Sequence, residues 1–282
     1  MRLAKNATHT TENMEDAALR PVKKDTNTAK DRQFVTALAR GLQILGCFST
    51  KTPELNGSDL AKLTGLPQPT VWRLCHTLLE LGMLIPTSGD KMRPGLPVLR
   101  LGYSAISGLD IIELARPHMQ ELANRYGAAC ALAIRDGLDM VMIERCEGHN
   151  QLLMNLRVGS SVPIASSALG WAYLAGLPSA PRAHLLAEIE AGNSREWNAV
   201  KKDFKKASAD FDARGFILNA GTFHKAYNTI AVPIFAADGS IQYSLNCGSA
   251  ALTLSEQTLH NEVAPKLLAL ARLLQSALVI RN

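Results

Sequence analysis

Leu60-Ala-Lys-Leu-Thr-Gly-Leu-Pro-Gln-Pro-Thr-Val-Trp-Arg-Leu-Cys-His-Thr-Leu-Leu-Glu-Leu-Gly82 decides how the first third of this chain folds. Leu60 and Leu63 form the apolar face of a short helix that Ser58 is placed to cap and Gly65 to end. After Leu66-Pro67 a second helix is predicted from about Pro69 to Leu81, with Gly82 behind it. Two short helices around a tight, Gly-containing turn make a helix-turn-helix. On a helical wheel Val71, Leu74, Cys75, Leu78 and Gly82 share one side; Pro69, Arg73, His76 and Glu80 share the other, flanked by Trp72 and Thr77. The apolar side packs inward, and the other offers a guanidinium, an imidazole, a hydroxyl and an indole to the outside. Arg73 suits a guanine edge or a phosphate. Gln68 and Thr70, in the first turn, are placed to hydrogen-bond phosphate beside free backbone N–H groups. Trp72 either meets a sugar or thymine methyl, or lies against a neighbouring helix. The candidate contacts to double-stranded DNA are therefore Gln68, Thr70, Trp72, Arg73, His76 and Thr77. A three-helix unit that binds another protein has the same pattern.

Working outward, Val35, Leu38, Leu42 and Leu45 recur at helical spacing and predict a first helix ending near Phe48. The stretch from Lys51 to Gly57 reads as a loop rich in breakers. Downstream, Met83 to Gly95 reads as two short extended pieces around Ser88-Gly89-Asp90, a wing carrying Lys91 and Arg93 toward DNA backbone. From Tyr103 to about Tyr126 the pattern is helical, with Pro117 starting a new helix or kinking one. Beyond it, Ala129–Arg135 and Met140–Arg145 form a hairpin through Asp136-Gly137. Gln151–Arg157 is expected as a strand, and Ser166–Leu174 and Ser194–Arg214 as helices. Tyr227–Phe235 and Ser240–Cys247 form a second hairpin through Asp238-Gly239. Leu254–Ile280 closes the chain as a long helix, with a possible break at Pro265. The mixture predicts an α+β domain with a mainly antiparallel sheet.

Composition agrees with two domains and a tail. The chain has 282 residues, 47% of them hydrophobic, and no apolar run approaches the ~20 residues of a bilayer span. The polar stretch from Met1 to Lys30 lacks the apolar core of a secretory signal. Five scattered cysteines without a Cys-x-x-Cys pair indicate neither a disulfide framework nor a zinc site. A cytoplasmic protein without membrane contact is expected. The net charge of +5 is unevenly spread. Residues 1–30 balance at +2, residues 31–102 at +3, and the remainder at zero, so the excess lies where phosphate attraction is useful.

Three blocks are more specific. They are Phe34-Val-Thr-Ala-Leu-Ala-Arg-Gly-Leu-Gln-Ile-Leu45, the segment from Leu60 to Leu74 with Leu78-Leu-Glu-Leu-Gly82, and Val98-Leu-Arg-Leu-Gly102. With Gly159-Ser-Ser-Val-Pro-Ile-Ala-Ser-Ser-Ala-Leu-Gly-Trp-Ala-Tyr-Leu-Ala175, Arg214-Gly-Phe216 and Ile230-Ala-Val-Pro-Ile-Phe235, they resemble the isocitrate-lyase-regulator (IclR) family over roughly Phe34 to Ile280. The resemblance implies a winged helix-turn-helix domain, a linker helix and a GAF-like effector domain. It divides the chain into a disordered tail (1–30), a DNA-binding domain (31–102), a linker (103–116) and an effector domain (117–282). It implies transcription regulation by dimers or dimers of dimers on palindromic operator DNA. The effectors implied are small carboxylates or aromatic acids from catabolic pathways.

In the family, the segment matching Ser167, Ala168, Leu169 and Gly170 opens a helix whose N–H groups receive the ligand carboxylate, as helix N-termini do. Polar pocket positions fall at Asn219, Thr229, Asn246 and Gly248, with Met154 and Tyr227 in the apolar wall. Asn219 stands where an acid is common and Gly248 where a hydroxyl is often found, which implies a roomier, less acidic pocket and an aromatic carboxylate. Asn219, Thr229 and Asn246 could instead satisfy strand and turn hydrogen bonds. In the wing, Met92 and Pro94 depart from the family pattern and predict shorter pairing. No cofactor, metal site or catalytic residue is predicted, because no nucleophile, zinc or phosphate-loop motif is present. A small-molecule enzyme or a protein-interaction module built on the same two domains are the competing readings.

Overall fold

The computed structural model describes residues 33–49, 52–149, 154–192 and 194–280. The expected tail of residues 1–30 lies outside them. The chain divides into two compact units, the first ending at Tyr103 and the second beginning at Ser104.

In the first unit, α1 (Thr36–Leu45), α2 (Gly57–Thr64) and α3 (Gln68–Glu80) precede a hairpin of β2 (Leu84–Pro86) and β3 (Lys91–Pro94). Ile44, Leu60, Val71, Cys75, Leu78 and Leu84 form one buried core. The apolar stripe that predicted α1 mostly faces away from it. Val35, Leu38 and Leu42 are exposed, and Ile44 takes the core position. The helix also stops at Leu45 rather than near Phe48. Ser58 is not the cap of α2. Asn56 is, in a reciprocal capping box: Asp59 N–H donates to Asn56 Oδ1 at 2.9 Å, and Asn56 N–H to Asp59 Oδ2 at 3.4 Å. The asparagine ends a short strand, β1 (Leu55–Asn56), within the expected loop. β1 pairs with the far edge of β3, giving the order β1-β3-β2. Met92 therefore does not shorten the wing: it is buried in the core, opposite Leu55 on one side and Pro86 on the other. Pro94 still pairs with Leu84. The wing turn closes through Thr87 N–H to Lys91 O at 2.8 Å, with Asp90 at φ 57°, a backbone region that Asp tolerates.

α4 (Leu96–Ser107) leads out of the wing, and α5 (Asp110–Tyr126) follows a break at Gly108-Leu109. Pro117 neither starts nor ends a helix; it lies inside α5. Ile111, Ile112 and Ala115 before it and Met119, Leu122 and Ala123 after it are all buried in one core. Burial on both sides of the proline offsets its ~3 kcal/mol helix penalty.

The second unit carries a six-stranded antiparallel sheet. Its strands are β4 (Ala129–Asp136), β5 (Asp139–Glu147), β6 (Ser161–Pro163), β7 (Ile217–Ala220), β8 (Tyr227–Phe235) and β9 (Ile241–Ala250), in the order β6-β5-β4-β9-β8-β7. Of the strand expected over Gln151–Arg157, residues 151–153 lie outside the described residues and 154–157 are not in a strand; the edge is β6 instead. One face is covered by α6 (Ala168–Gly176), α7 (Ser179–Gly192), α8 (Ser194–Ser208) and α9 (Phe211–Arg214). Thus the expected Ser194–Arg214 helix is two helices, and α7 had no sequence counterpart. The other face holds α5, α10 (Glu256–Thr258), a π-helical turn (Leu259–Val263) and α11 (Ala264–Ile280). The π turn sits just before Pro265, the proline expected to interrupt this helix, which has no N–H to continue an α-helical ladder.

Candidate functional site

α3 presents its outer face as the sequence predicts. Val71, Cys75 and Leu78 are buried. Trp72, Arg73, His76 and Thr77 are exposed together, with Gln68 beside them and Thr70 half-buried. Trp72 is 68% exposed, so its indole is not packed into the core of this unit. It stacks on His76, one turn later, with ring centroids 5.7 Å apart and planes 4° from parallel. The first turn of α3 is less free than expected. Pro69 has no N–H, and those of Thr70 and Val71 donate to Pro67 O. Gln68 Nε2 donates to Ser58 Oγ at 2.9 Å, which ties α3 to α2. Thr77 Oγ1 turns back to Arg73 O at 3.1 Å. Lys91 and Arg93 both point outward from β3, on alternate positions around buried Met92.

In the second unit the fold gathers every predicted pocket residue on the α6 side of the sheet. Met154, Ala168, Leu169 and Tyr227 belong to the core there. Strand alternation puts Thr229 with Tyr227, Asn219 with Ile217, and Asn246 and Gly248 on the same face. Ser167 caps α6, its Oγ accepting from Gly170 N–H at 3.1 Å. The N–H groups of Ala168 and Leu169 then have no acceptor within the helix. Asn219 acts as a brace: its Nδ2 donates to Ser166 O at 2.9 Å and its Oδ1 accepts from Phe223 N–H at 3.2 Å. Asn246 Oδ1 accepts from Ala131 N–H at 2.9 Å.

Gly248 does not open extra room. A Cβ there meets Thr229 Oγ1 at 2.5 Å and Tyr227 Cε1 at 2.8 Å, and Tyr227 Oη donates to Gly248 O at 2.7 Å. The phenol ring fills the space that a hydroxyl side chain would take. Burial pushes the Tyr227 phenol well above its ordinary range, with the charge of Arg145 acting against it. Arg145 had no sequence signal. Its side chain is 6% exposed, and its Nε donates to Glu147 Oε1 at 2.9 Å. Only the strand register, set by a bulge in β5, shows which face it takes. A separate cleft of about 520 Å³ at the end of α5, lined by residues including Arg125, Tyr126 and His149, contains none of the predicted residues.

Among the described residues, no group of three or more His, Cys, Asp or Glu is placed to hold a metal ion. None of the described helices is long and apolar enough to cross a membrane.

Residues 37–85 match the IclR helix-turn-helix domain, and residues 103–276 match the C-terminal domain of the bacterial transcriptional regulator IclR. The HTH-type transcriptional regulator TsaQ1/TsaQ2 of Comamonas testosteroni is 29% identical over 237 residues, 83% of this chain and 85% of its own length. The structure of an IclR family transcriptional regulator from Brucella abortus is similar over 91% of this chain and 97% of that one, at 36% identity and a TM-score of 0.81. An IclR homolog from Microbacterium hydrocarbonoxydans, complexed with 4-hydroxybenzoate, shares the fold at 21% identity and a TM-score of 0.69, over 86% of this chain and 98% of its own.

Proposed function

This chain belongs to the IclR family of bacterial transcriptional regulators, and from that premise we propose that it reads a palindromic operator in the cytoplasm under the control of a small carboxylate effector. Residues 31–102 serve as the DNA-binding domain and 117–282 as the effector domain, and 103–116 join them through the end of α4 and the first turns of α5, whose Ile111, Ile112 and Ala115 already belong to the second core. Arg73 reads a base edge or clamps phosphate, the Trp72–His76 stack meets sugar or a thymine methyl, and Gln68, Thr70 and Thr77 complete the contact. Lys91 and Arg93 contact backbone from the wing. The single observation that carries this reading is the exposed face of α3, where an indole and a guanidinium stand in solvent opposite buried Val71, Cys75 and Leu78. The indole, imidazole and guanidinium side by side on one helix face are the groups that can contact sugar, thymine methyl, base edges and phosphate.

The effector lies against the α6 side of the sheet among Met154, Ser167, Ala168, Leu169, Asn219, Tyr227, Thr229, Asn246 and Gly248. The free N–H groups at the start of α6 donate to a polar group of the effector. An aromatic acid from a catabolic pathway is the class we favour, on the precedent of the Microbacterium hydrocarbonoxydans homolog complexed with 4-hydroxybenzoate rather than on pocket size. The protein is a dimer or dimer of dimers. Exposed Val35, Leu38 and Leu42 on α1, and Leu96, Leu99 and Tyr103 on α4, supply apolar surface for it.

Selection from a random duplex library followed by fluorescence anisotropy tests the DNA reading. Arg73→Ala is expected to weaken the selected site by ~1–3 kcal/mol, about 5- to 150-fold. Unchanged affinity means that Arg73 is not a reader, and affinity insensitive to salt overturns the phosphate contacts.

A further inference from the structure

Two arginines converge on one carboxylate at the edge of the α6-side core. Glu147 Oε1 accepts from Arg145 Nε at 2.9 Å and from Arg157 Nη1 at 2.9 Å. Arg157 is a surface residue with a 57% exposed side chain and also donates to Leu156 O, whereas the Arg145 side chain is 94% buried. Two guanidinium groups sharing one carboxylate leave a surplus positive charge, and the buried member lies in an apolar wall, where an unbalanced charge is costly.

The strand register states where that charge lies. Arg145 pairs with Ala131, Ala131 with Asn246, and Asn246 with Ala231, so these residues form one row across β5, β4, β9 and β8. Ala131 and Ala231 belong to the α6-side core. The neighbouring row runs Glu147, Ala129, Gly248, Thr229 and Asn219. The middle of both rows is alanine and glycine apart from Asn246, with the Tyr227 ring over Gly248, Arg145 at one end, and Thr229 and Asn219 toward the other. The β5 bulge decides this. Leu132 pairs with Glu144 and Ala133 with Met142, leaving Ile143 as the extra residue. Without it, Arg145 and Glu144 would exchange faces. With it, Glu144 turns to α5 and pairs with Arg116 at 2.6 Å, while Arg145 turns to the α6 side.

We propose that Arg145 is the residue that selects for a carboxylate in the effector site, resting on the placement of that site given under Proposed function. A guanidinium carries five N–H donors, and Glu147 engages one of them, at Nε. Held in this way, the side chain offers its terminal nitrogens to the carboxylate of the effector, and the bound anion balances the surplus charge. Glu147 is a positioning residue, and Arg157 anchors it from the surface. The site then prefers an organic acid to the neutral amide of the same shape.

Titration calorimetry on the full chain with 4-hydroxybenzoate and 4-hydroxybenzamide tests this, with benzoate and 3,4-dihydroxybenzoate and their amides as further pairs. The unaltered protein is expected to bind an acid at least tenfold tighter than its amide. Arg145→Gln is expected to lose about 10- to 100-fold in acid affinity and leave amide affinity unchanged, as for a lost hydrogen bond to a charged group. Arg145→Lys is expected to keep part of the preference, and Arg157→Gln all of it. Ligand-free DNA affinity and melting temperature matching the unaltered protein show that each variant is folded. An Arg145→Gln protein that still prefers the acid overturns the role of Arg145 and leaves the effector site standing. A protein that binds no member of the panel overturns the aromatic-acid reading and this inference with it.

Discussion

Gly170→Ala places a methyl group where the backbone of Ile164 already lies. The added carbon falls in hard overlap with the carbonyl oxygen and Cα of Ile164, and 2.6 Å from its carbonyl carbon. Comfortable carbon contacts begin at roughly 3.5 Å, so the helix or the segment beneath it must move by about 1 Å. Neither moves easily. Ile164 N–H donates to Leu138 O at 2.9 Å, and its side chain is fully buried. The adjoining Trp171 is buried as well, with its Nε1 donating to Ala165 O at 2.7 Å. Overpacking against side chains costs about 1–3 kcal/mol, and here the obstacle is main chain, so we expect at least ~3 kcal/mol. For a unit of this size that corresponds to a fall in Tm of roughly 6–12 °C. Differential scanning calorimetry of the full chain reads it, with Gly57→Ala as control, since nothing lies within 4 Å of a methyl there. Because α6 carries the Ala168 and Leu169 N–H groups, ligand affinity should fall as well. A Gly170→Ala protein melting within about 2 °C of the unaltered one would refute the tight seating of α6.

Asn56→Ala should destabilise the first unit by about 1 kcal/mol in urea unfolding, and Ser58→Ala by much less; the reverse ranking contradicts the capping box. Lys91→Ala and Arg93→Ala should each reduce the salt slope of DNA binding by about 1, and an unaltered slope removes the wing from the contact. Burial pushes the thiols of Cys75 and Cys146 to about 11, against an ordinary value of 9.0. Above pH ~9 the unfolded chain therefore holds fewer protons than the folded one, and stability falls as pH rises. The urea midpoint should drop between about pH 8.5 and about pH 10.5, less so in Cys146→Ala, and a flat profile refutes the buried protonated thiols.

The helix-turn-helix was legible because apolar spacing and two glycines mark it locally. Gly65, for example, takes the left-handed conformation at the C-cap of α2. The two hairpins of the second unit were legible for the same reason, through Asp136-Gly137 and Asp238-Gly239. What escaped was decided at a distance. β1 has only two residues and exists because β3 has a free edge. Ser58 is a good cap by residue type, but Asn56 wins because Asp59 lies three residues beyond it and can reciprocate. Pro117 looked like a boundary and is carried through α5 by burial on both sides. In the candidate effector site, the positions taken from the family pattern, Gly248 and Asn219 among them, share the α6 face of the sheet. Their hydrogen-bond partners were not in the pattern: Tyr227 fills the space above Gly248, and Asn219 holds Ser166. Arg145 was invisible because a single inserted residue, Ile143, sets its face.

The central claim is that a ligand in the second unit sets the affinity of α3 for DNA. Anisotropy on the selected duplex, with and without a saturating acid that raises the Tm, tests it most directly. Coupling between two such sites is typically 1–3 kcal/mol, so the Kd for DNA should change by about 5- to 150-fold, and Arg145→Gln should reduce that change at equal acid concentration. Identical DNA affinity with and without bound acid would contradict the account.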